Sequence, residues 1–223
     1  MNVTRIALLG LALGLTASSA HALIDVNAFG GYATLGMGDI NNAIDGFASA
    51  NSGSATHINS GFYVGADGTI SLLPFLSVGP RLEYLQAGEG KVTIGGNAAT
   101  IDANLMMYEL GVRAGTSLPL TGLSVSAGLW GGYGMASGKV DSSAVGGSAQ
   151  TGTGGAFVGE LEASAKYKLV AGLSLGVDVG YRMASVSTIN GSNGQDLIQT
   201  NSGSNAAWDF SGLKAGLSLG WGF

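Results

Sequence analysis

The stretch LKAGLSLGWGF (213–223) decides the fold. Leu213, Ala215, Leu217, Leu219, Trp221 and Phe223 fall on one side of a two-residue alternation, with Lys214, Gly216, Ser218, Gly220 and Gly222 on the other. A side-chain period of two belongs to a β-strand with one apolar face. Chain ends usually fray unless they are tied into a sheet. So regular a strand, ending on Phe223, predicts a partner strand and an apolar medium for its outer face.

Composition points to the same medium. Of the 223 residues 46% are hydrophobic and only 10% are charged, and glycine supplies 40. Ordinary globular domains carry about 25% charged residues and about 7% glycine. No collagen-like glycine period occurs, and the hydrophobic content is too high for disorder. A charge deficit of this size is therefore absorbed by lipid.

The first residues, MNVTRIALLGLALGLTASSAHA (1–22), have one positive charge at Arg5, an apolar core from Ile6 to Leu15, and a small-x-small ending at Ala20-His21-Ala22. The apolar core falls short of the roughly 20 residues that a spanning helix needs. The segment reads as a secretory signal cleaved after Ala22, leaving 23–223 as a single domain. The remaining chain then has 8 Lys+Arg (9 − 1) against 14 Asp+Glu, a net charge of −6. Nucleic acid is excluded as a partner on that balance, since phosphate binding needs a basic face. Cysteine is absent, so no disulfide framework exists.

No long apolar run follows the signal. What recurs is alternation over segments of about 10 to 12 residues, the length with which a tilted strand crosses a bilayer. Eight such segments centre on Val26–Tyr32, Phe62–Leu72, Val78–Tyr84, Met106–Thr116, Val125–Tyr133, Phe157–Tyr167, Leu175–Tyr181 and Leu213–Phe223. Links between them alternate in length. Short ones lie at Leu73-Pro74-Phe75, around Pro119–Gly122, and at Val170-Ala171-Gly172. Long ones, rich in Gly, Ser, Asn and Thr, run over Met37–Ser60, Gln86–Asn104, Ala136–Gly155 and Ser185–Trp208.

A repeat near fifty residues underlies this. Tyr32, Tyr84, Tyr133 and Tyr181 end outgoing strands at separations of 52, 49 and 48, and Phe62, Tyr108 and Phe157 open returning ones. A propeller blade has a comparable period but holds four short strands. Two long strands per unit in four units predict an all-β fold: an eight-stranded antiparallel up-and-down transmembrane β-barrel. Pro80, inside the third strand, removes a ladder donor and predicts a local bulge.

The strand charges all fall on one face. Seven acids (Asp25, Asp67, Glu83, Glu109, Glu160, Glu162, Asp178) and six bases (Arg81, Arg113, Lys166, Lys168, Arg182, Lys214) oppose a face of Leu, Val, Ala and aromatic residues. A charge facing lipid at mid-membrane costs about 2–4 kcal/mol. The charges are therefore expected in the lumen, paired across its axis, with Glu109 partnering a base such as Arg113 or Arg182. Phe29, Tyr63 and Trp130 are expected to fill the space beside them. Inward glycines such as Gly65, Gly111, Gly128 and Gly216 leave room for the long charged side chains. Tyr32, Phe62, Tyr84, Tyr108, Tyr133, Phe157 and Tyr181 form one aromatic girdle, and Phe75, Tyr167, Trp221 and Phe223 the other. A soluble lipocalin-like barrel would also alternate, with its apolar face inward. The girdles, low charge, loop asymmetry and signal select the membrane.

With this architecture and the terminal GLSLGWGF (216–223), the chain resembles the small eight-stranded outer-membrane β-barrels of the OmpX and OmpA-transmembrane type over all of 23–223. The resemblance implies an integral, monomeric outer-membrane protein of a Gram-negative cell, surrounded by outer-membrane lipids. It implies handling by periplasmic chaperones and the barrel-assembly machinery, with Phe223 as the assembly signal.

Catalytic candidates are few. His57 is the one histidine after the signal and lies near Ser54 and Ser60, but Ser and His close in sequence do not make a triad. A solvated loop histidine is the favoured reading, so no enzyme is expected. Lipid modification ranks last among the functional classes. One histidine and no cysteine cannot make a typical transition-metal site. Asp39–Asp45 begins like a calcium loop but lacks the central glycine. It reads instead as a short helix capped by Asp39 with Ile40, Ile44 and Phe47 on one face, packing within its loop in preference to acting as a lid. No cofactor is expected. Two classes remain: a barrel with a filled polar lumen that acts through extracellular loops and envelope stabilisation, and a narrow porin-like channel. The filled reading is favoured, because eight strands leave an interior that side chains can fill.

Overall fold

A computed structural model describes residues 24–118, 121–170, 172–191, 194–200 and 203–223. The segment read as a cleaved signal (1–22) lies outside the described residues, as do Pro119 and Ala171 in two of the short turns. Eight long strands build the wall: β1 (Ile24–Thr34), β2 (Ser60–Leu73), β3 (Leu76–Ala87), β4 (Asn97–Ser117), β5 (Leu123–Asp141), β6 (Ala149–Lys168), β7 (Leu173–Val186) and β8 (Gly212–Gly222). Each pairs antiparallel with its sequence neighbour, and β8 returns to pair with β1, for example Val26 with Trp221. Ile24 and Phe223 exchange backbone hydrogen bonds across that seam, at 3.4 and 2.9 Å. Strands this rich in glycine would be weak in water. Lipid offers no competing hydrogen bonds, so a closed ladder is the state that satisfies the backbone.

The outer surface carries the apolar face. Leu110, Leu129, Leu161, Val179 and Leu217 are exposed there, and Phe157 is 87% exposed. Phe157 and Tyr167 mark the two girdles on β6. Ten residues at about 3.3 Å each, tilted by about 40°, separate them by about 25 Å, the height of an outer-membrane apolar band.

The two ends differ. At one, β2 and β3 join through Pro74-Phe75, and the other two links are also short. Gly122 and Gly172 take left-handed backbone φ of +69° and +83° there, which glycine adopts without a Cβ clash. At the other end the wall rises well above the girdle. Much of Gln86–Asn104 and Ala136–Gly155 is strand and not loop, since β4 starts at Asn97, β5 runs to Asp141 and β6 begins at Ala149. Small polar residues discourage strands only weakly when a neighbouring strand supplies the ladder. A short strand at Gly90–Ile94 pairs with β4 and with Ser54–Thr56, extending the rim further.

The first long link holds a helix, α1 (Gly38–Ala50). Its buried face is Ile40, Ile44 and Ala48, while Phe47 is 46% exposed, so Phe47 does not share the packed stripe. Asp39 is not the cap either: Met37 occupies that position without a side-chain bond, and the Asp39 carboxylate accepts from the Ala207 N–H at 3.2 Å. Asn41 anchors the helix, its amide bonding both the N–H and the carbonyl of Ile58 at 2.9 and 3.1 Å. In the last long link, Asp196 accepts from the N–H groups of Ile189, Leu197 and Ala206 at 3.0–3.2 Å.

Pro80 makes no bulge. The β3–β4 register passes through it unbroken, opposite Leu110. Between β2 and β3, Gly68–Thr69 and Gly79–Pro80 are left unpaired while Asp67↔Arg81 and Ile70↔Val78 keep the same register. The missing donor is accommodated by a gap in one ladder. The irregularity between these strands falls instead at Ser71/Leu73, beside the turn.

Candidate functional site

The lumen is the candidate site, and it has three layers. The middle layer, at membrane depth, holds the charges. Arg81 on β3 donates to Glu160 and, at 2.9 Å, to Glu162, both on β6. Arg182 on β7 bonds Glu83 on β3, and Lys214 on β8 donates to Glu83 at 2.7 Å and to Glu160 at 2.8 Å. Arg113 on β4 donates to Asp67 at 2.9 Å, and Asn27 Nδ2 donates to the same carboxylate at 2.7 Å. Most of these bonds cross the axis between strands that are not neighbours in the wall. A buried ion pair is not by itself a large gain over apolar packing, but removal of one partner is costly. Glu83, Glu160, Arg81, Arg182 and Lys214 are all within a few per cent of fully buried.

Aromatic rings fill the remaining width. The Arg81 guanidinium lies 3.9 Å from the Trp130 ring centre, and Lys214 Nζ 4.5 Å from that of Tyr63. The inward glycines make room for these rings first. A Cβ on Gly111 would come 2.3 Å from the Trp130 ring, one on Gly65 2.5 Å from Phe29, and one on Gly216 2.5 Å from the Tyr63 hydroxyl. The expectation that glycines clear space for long charged chains holds at Gly176, where a Cβ would come 2.7 Å from the Lys166 stem, and at Gly180 beside Lys214, but at Gly65, Gly111 and Gly216 the space goes to rings. At those three positions the rings lie on the glycines, and the cations stack on the rings.

Several of the expected network residues stand apart. Glu109 is buried, yet among the described residues both its carboxylate oxygens lack a hydrogen-bond partner and no base lies within ion-pair reach of it. Arg113 and Arg182, its expected partners, are taken by Asp67 and Glu83. Asp178 is also buried without an ion pair among the described residues. Lys166 donates to the amide oxygen of Asn27 at 2.6 Å and not to a carboxylate. Asp25 is only half-buried at the short-turn rim, and Lys168 is exposed there. A one-dimensional alternation assigns a residue to the lumen face but not to a height or an azimuth, so it cannot pair charges.

The layer on the long-loop side is apolar. Leu85, Leu105, Met107, Val158, Ala184 and Val186 point inward above the charges, all buried. Trp208 and Phe210 from the last link and Ile40, Ile44 and Ile58 from the first join them in one core. The lumen is therefore not polar throughout: α1 and these side chains close it as a lid with a packed core. The signal was present in the sequence, since Leu85, Leu105, Met107, Val158 and Val186 share the parity of the charged residues. His57 sits on this lid, its Nε2 2.8 Å from Asp45 of α1.

The layer on the short-turn side is open, a cavity of about 470 Å³ whose walls carry Ser71, Ser77, Ser117, Ser124, Ser126 and Ser174.

Outside the wall, the residues read as girdles are exposed in two rings. Tyr32 and Phe62 meet edge-on at 5.3 Å between ring centres, and Tyr133 and Phe157 at 6.0 Å. Tyr108 pairs across to Tyr133, and Tyr84 and Tyr181 continue that ring. Near the other end, Trp221 and Phe223 lie 6.2 Å apart, with Tyr167 and Phe75 exposed at a similar height. At the upper ring the wall inverts its hydropathy. On β4 the outward residues change from Leu110 and Tyr108 to Asn104 and Asp102, while the inward ones change from Arg113 and Glu109 to Leu105 and Ala103.

Among solved structures, the outer membrane protein OprG from Pseudomonas aeruginosa is 19% identical, with a TM-score of 0.48, over 91% of this chain and 97% of that one. Neisserial surface protein A (NspA) is 12% identical, with a TM-score of 0.49, over 92% of this chain and 100% of that one. No curated protein matches the sequence significantly. A closed antiparallel ring with charges inside and an apolar band bounded by aromatics outside agrees with the family profile described as "Outer membrane protein beta-barrel domain", which matches residues 10–221, and the chain belongs to that family.

Proposed function

We propose that the protein is a non-conducting, monomeric barrel that acts at the cell surface through the lid formed by its long links and contributes mechanical integrity to the outer membrane. The observation that carries this reading is the double closure of the lumen. An ion-paired layer at membrane depth lies beneath an apolar core in which Leu85, Leu105, Ile40, Trp208 and Phe210 are fully buried. A solute would have to separate both layers. Planar-bilayer recording on refolded protein is expected to give no unitary steps; reproducible steps would establish the narrow channel instead.

In this reading eight crossings leave both chain ends and the short turns on the periplasmic side, and protease added to intact cells cuts only in the long links. No catalytic role is assigned. The contact of His57 with Asp45 supports a part in seating α1. Export follows removal of the signal after Ala22, periplasmic chaperones carry the chain, and the assembly machinery reads Phe223, whose ring is exposed beside Trp221.

A further inference from the structure

We infer that the short-turn vestibule is a binding site for a small phosphate-type oxyanion, a ligand that the closed-barrel reading does not require. The chain as a whole is acidic, with a net charge of −5, yet the 470 Å³ cavity is lined by three bases, Arg113, Lys166 and Lys168, against one acid, Asp25. Arg113 and Lys166 are each only 8% exposed. Lys166 is the decisive residue. Its ammonium has three donors and uses one, on the Asn27 amide, with no carboxylate within 4 Å among the described residues. Asp67, Asp25 and Asp178 act on Lys166 only from a distance. A nine-tenths buried cation that bonds no carboxylate is costly to hold, and an anion entering the cavity would supply the direct partner.

The other bases have separate parts. Arg113 is already committed to Asp67, so it adds positive potential at the floor and few new bonds. Lys168 stands exposed at the rim, where it draws an anion inward. Ser77 and Ser124 spend their hydroxyl protons on the backbone carbonyls of Arg113 and Lys166, so Ser117 and Ser174 supply the hydroxyl donors. Together with the Lys166 ammonium they suit a tetrahedral oxyanion with several acceptors better than a planar carboxylate with two. Asp178 faces the same half of the lumen from β7, and Asp25 the rim from β1, so the site takes a small anion and not a polyanionic chain. The ion-paired layer closes the cavity at its inner end. The anion therefore binds from the short-turn side and leaves by it.

The test is titration of the refolded, full-length barrel in a phosphate-free detergent with inorganic phosphate, followed by calorimetry and by amide chemical shifts. Saturable binding is expected with a Kd on the order of 1 mM. Lys166→Gln should weaken it about tenfold, the loss of one charge-assisted hydrogen bond. Lys166→Arg should retain it, and Lys168→Gln should weaken it about threefold through the lost rim potential. Lys91→Gln, on the rim strand at the opposite end, should change nothing. If Lys166→Gln fails to refold by heat-modifiable gel mobility, the exposed Lys168→Gln carries the test. Absence of saturable phosphate binding, or equal affinity in both lysine variants and wild type, would overturn the site. Acetate binding as tightly as phosphate would overturn the assignment to a phosphate-type anion.

Discussion

Above and below the upper tyrosine ring, the same strands obey opposite rules. Below it Leu110, Leu129 and Val179 face out and Arg81, Glu83 and Glu160 face in; above it Asn104, Ser137 and Lys139 face out and Leu105, Ala136 and Val158 face in. The strand period does not change, but the solvent does. Within the band the outer medium is hydrocarbon, and a charge can be satisfied only inward. Beyond the ring the outer medium is water, and the wall packs like a soluble protein, with its hydrophobes against α1 and the last link. Tyrosine marks the crossover because its ring tolerates the apolar side and its hydroxyl the wet one.

This contrast can be broken at several points. The largest loss is expected from Glu83→Ala in the charged layer. Arg182 would be left with Glu160 at 3.8 Å, and Lys214 would lose one of its two partners. Denaturant unfolding in lipid vesicles should register about 3–5 kcal/mol. Next, Leu105→Ala in the apolar layer should cost about 2–5 kcal/mol as a core cavity does. A cost below 1 kcal/mol would mean that the lid is not a packed core.

A charge placed on the outer face of a single strand probes the inversion directly. Leu110→Arg, in the band, should cost about 2–4 kcal/mol, and Asn104→Arg, above the ring, about 0–1 kcal/mol. Similar costs at both positions would remove the crossover from between them.

The smallest effect is expected at Glu109, whose carboxylate is buried and unpartnered. Glu109→Gln should leave stability unchanged or raise it by about 1 kcal/mol, because a neutral amide is cheaper to bury than a lone charge. A loss as large as that of Glu83→Ala would show that Glu109 has a partner after all.

Periodicity along the chain was enough to place the eight strands, the parity of the charges and a row of aromatics at one height, while the contact of Tyr32 with Phe62 came from the strand register. Side chains alternate by local geometry, and lipid penalises every misplaced charge in the same direction, so a one-dimensional record suffices. That record also contained the inversion, as Leu85, Leu105, Met107 and Val158 on the charged parity. Their Gly- and Ser-rich continuations resembled loops, however, and concealed the rise of the wall. Tertiary structure alone decided which base meets which acid, why Glu109 and Lys166 meet none, and which residues of distant links close the mouth. Trp208 and Ile40 lie far apart in sequence and Arg182 reaches Glu83 across the full barrel. Such contacts depend on height and azimuth around a closed ring, and no local period carries either.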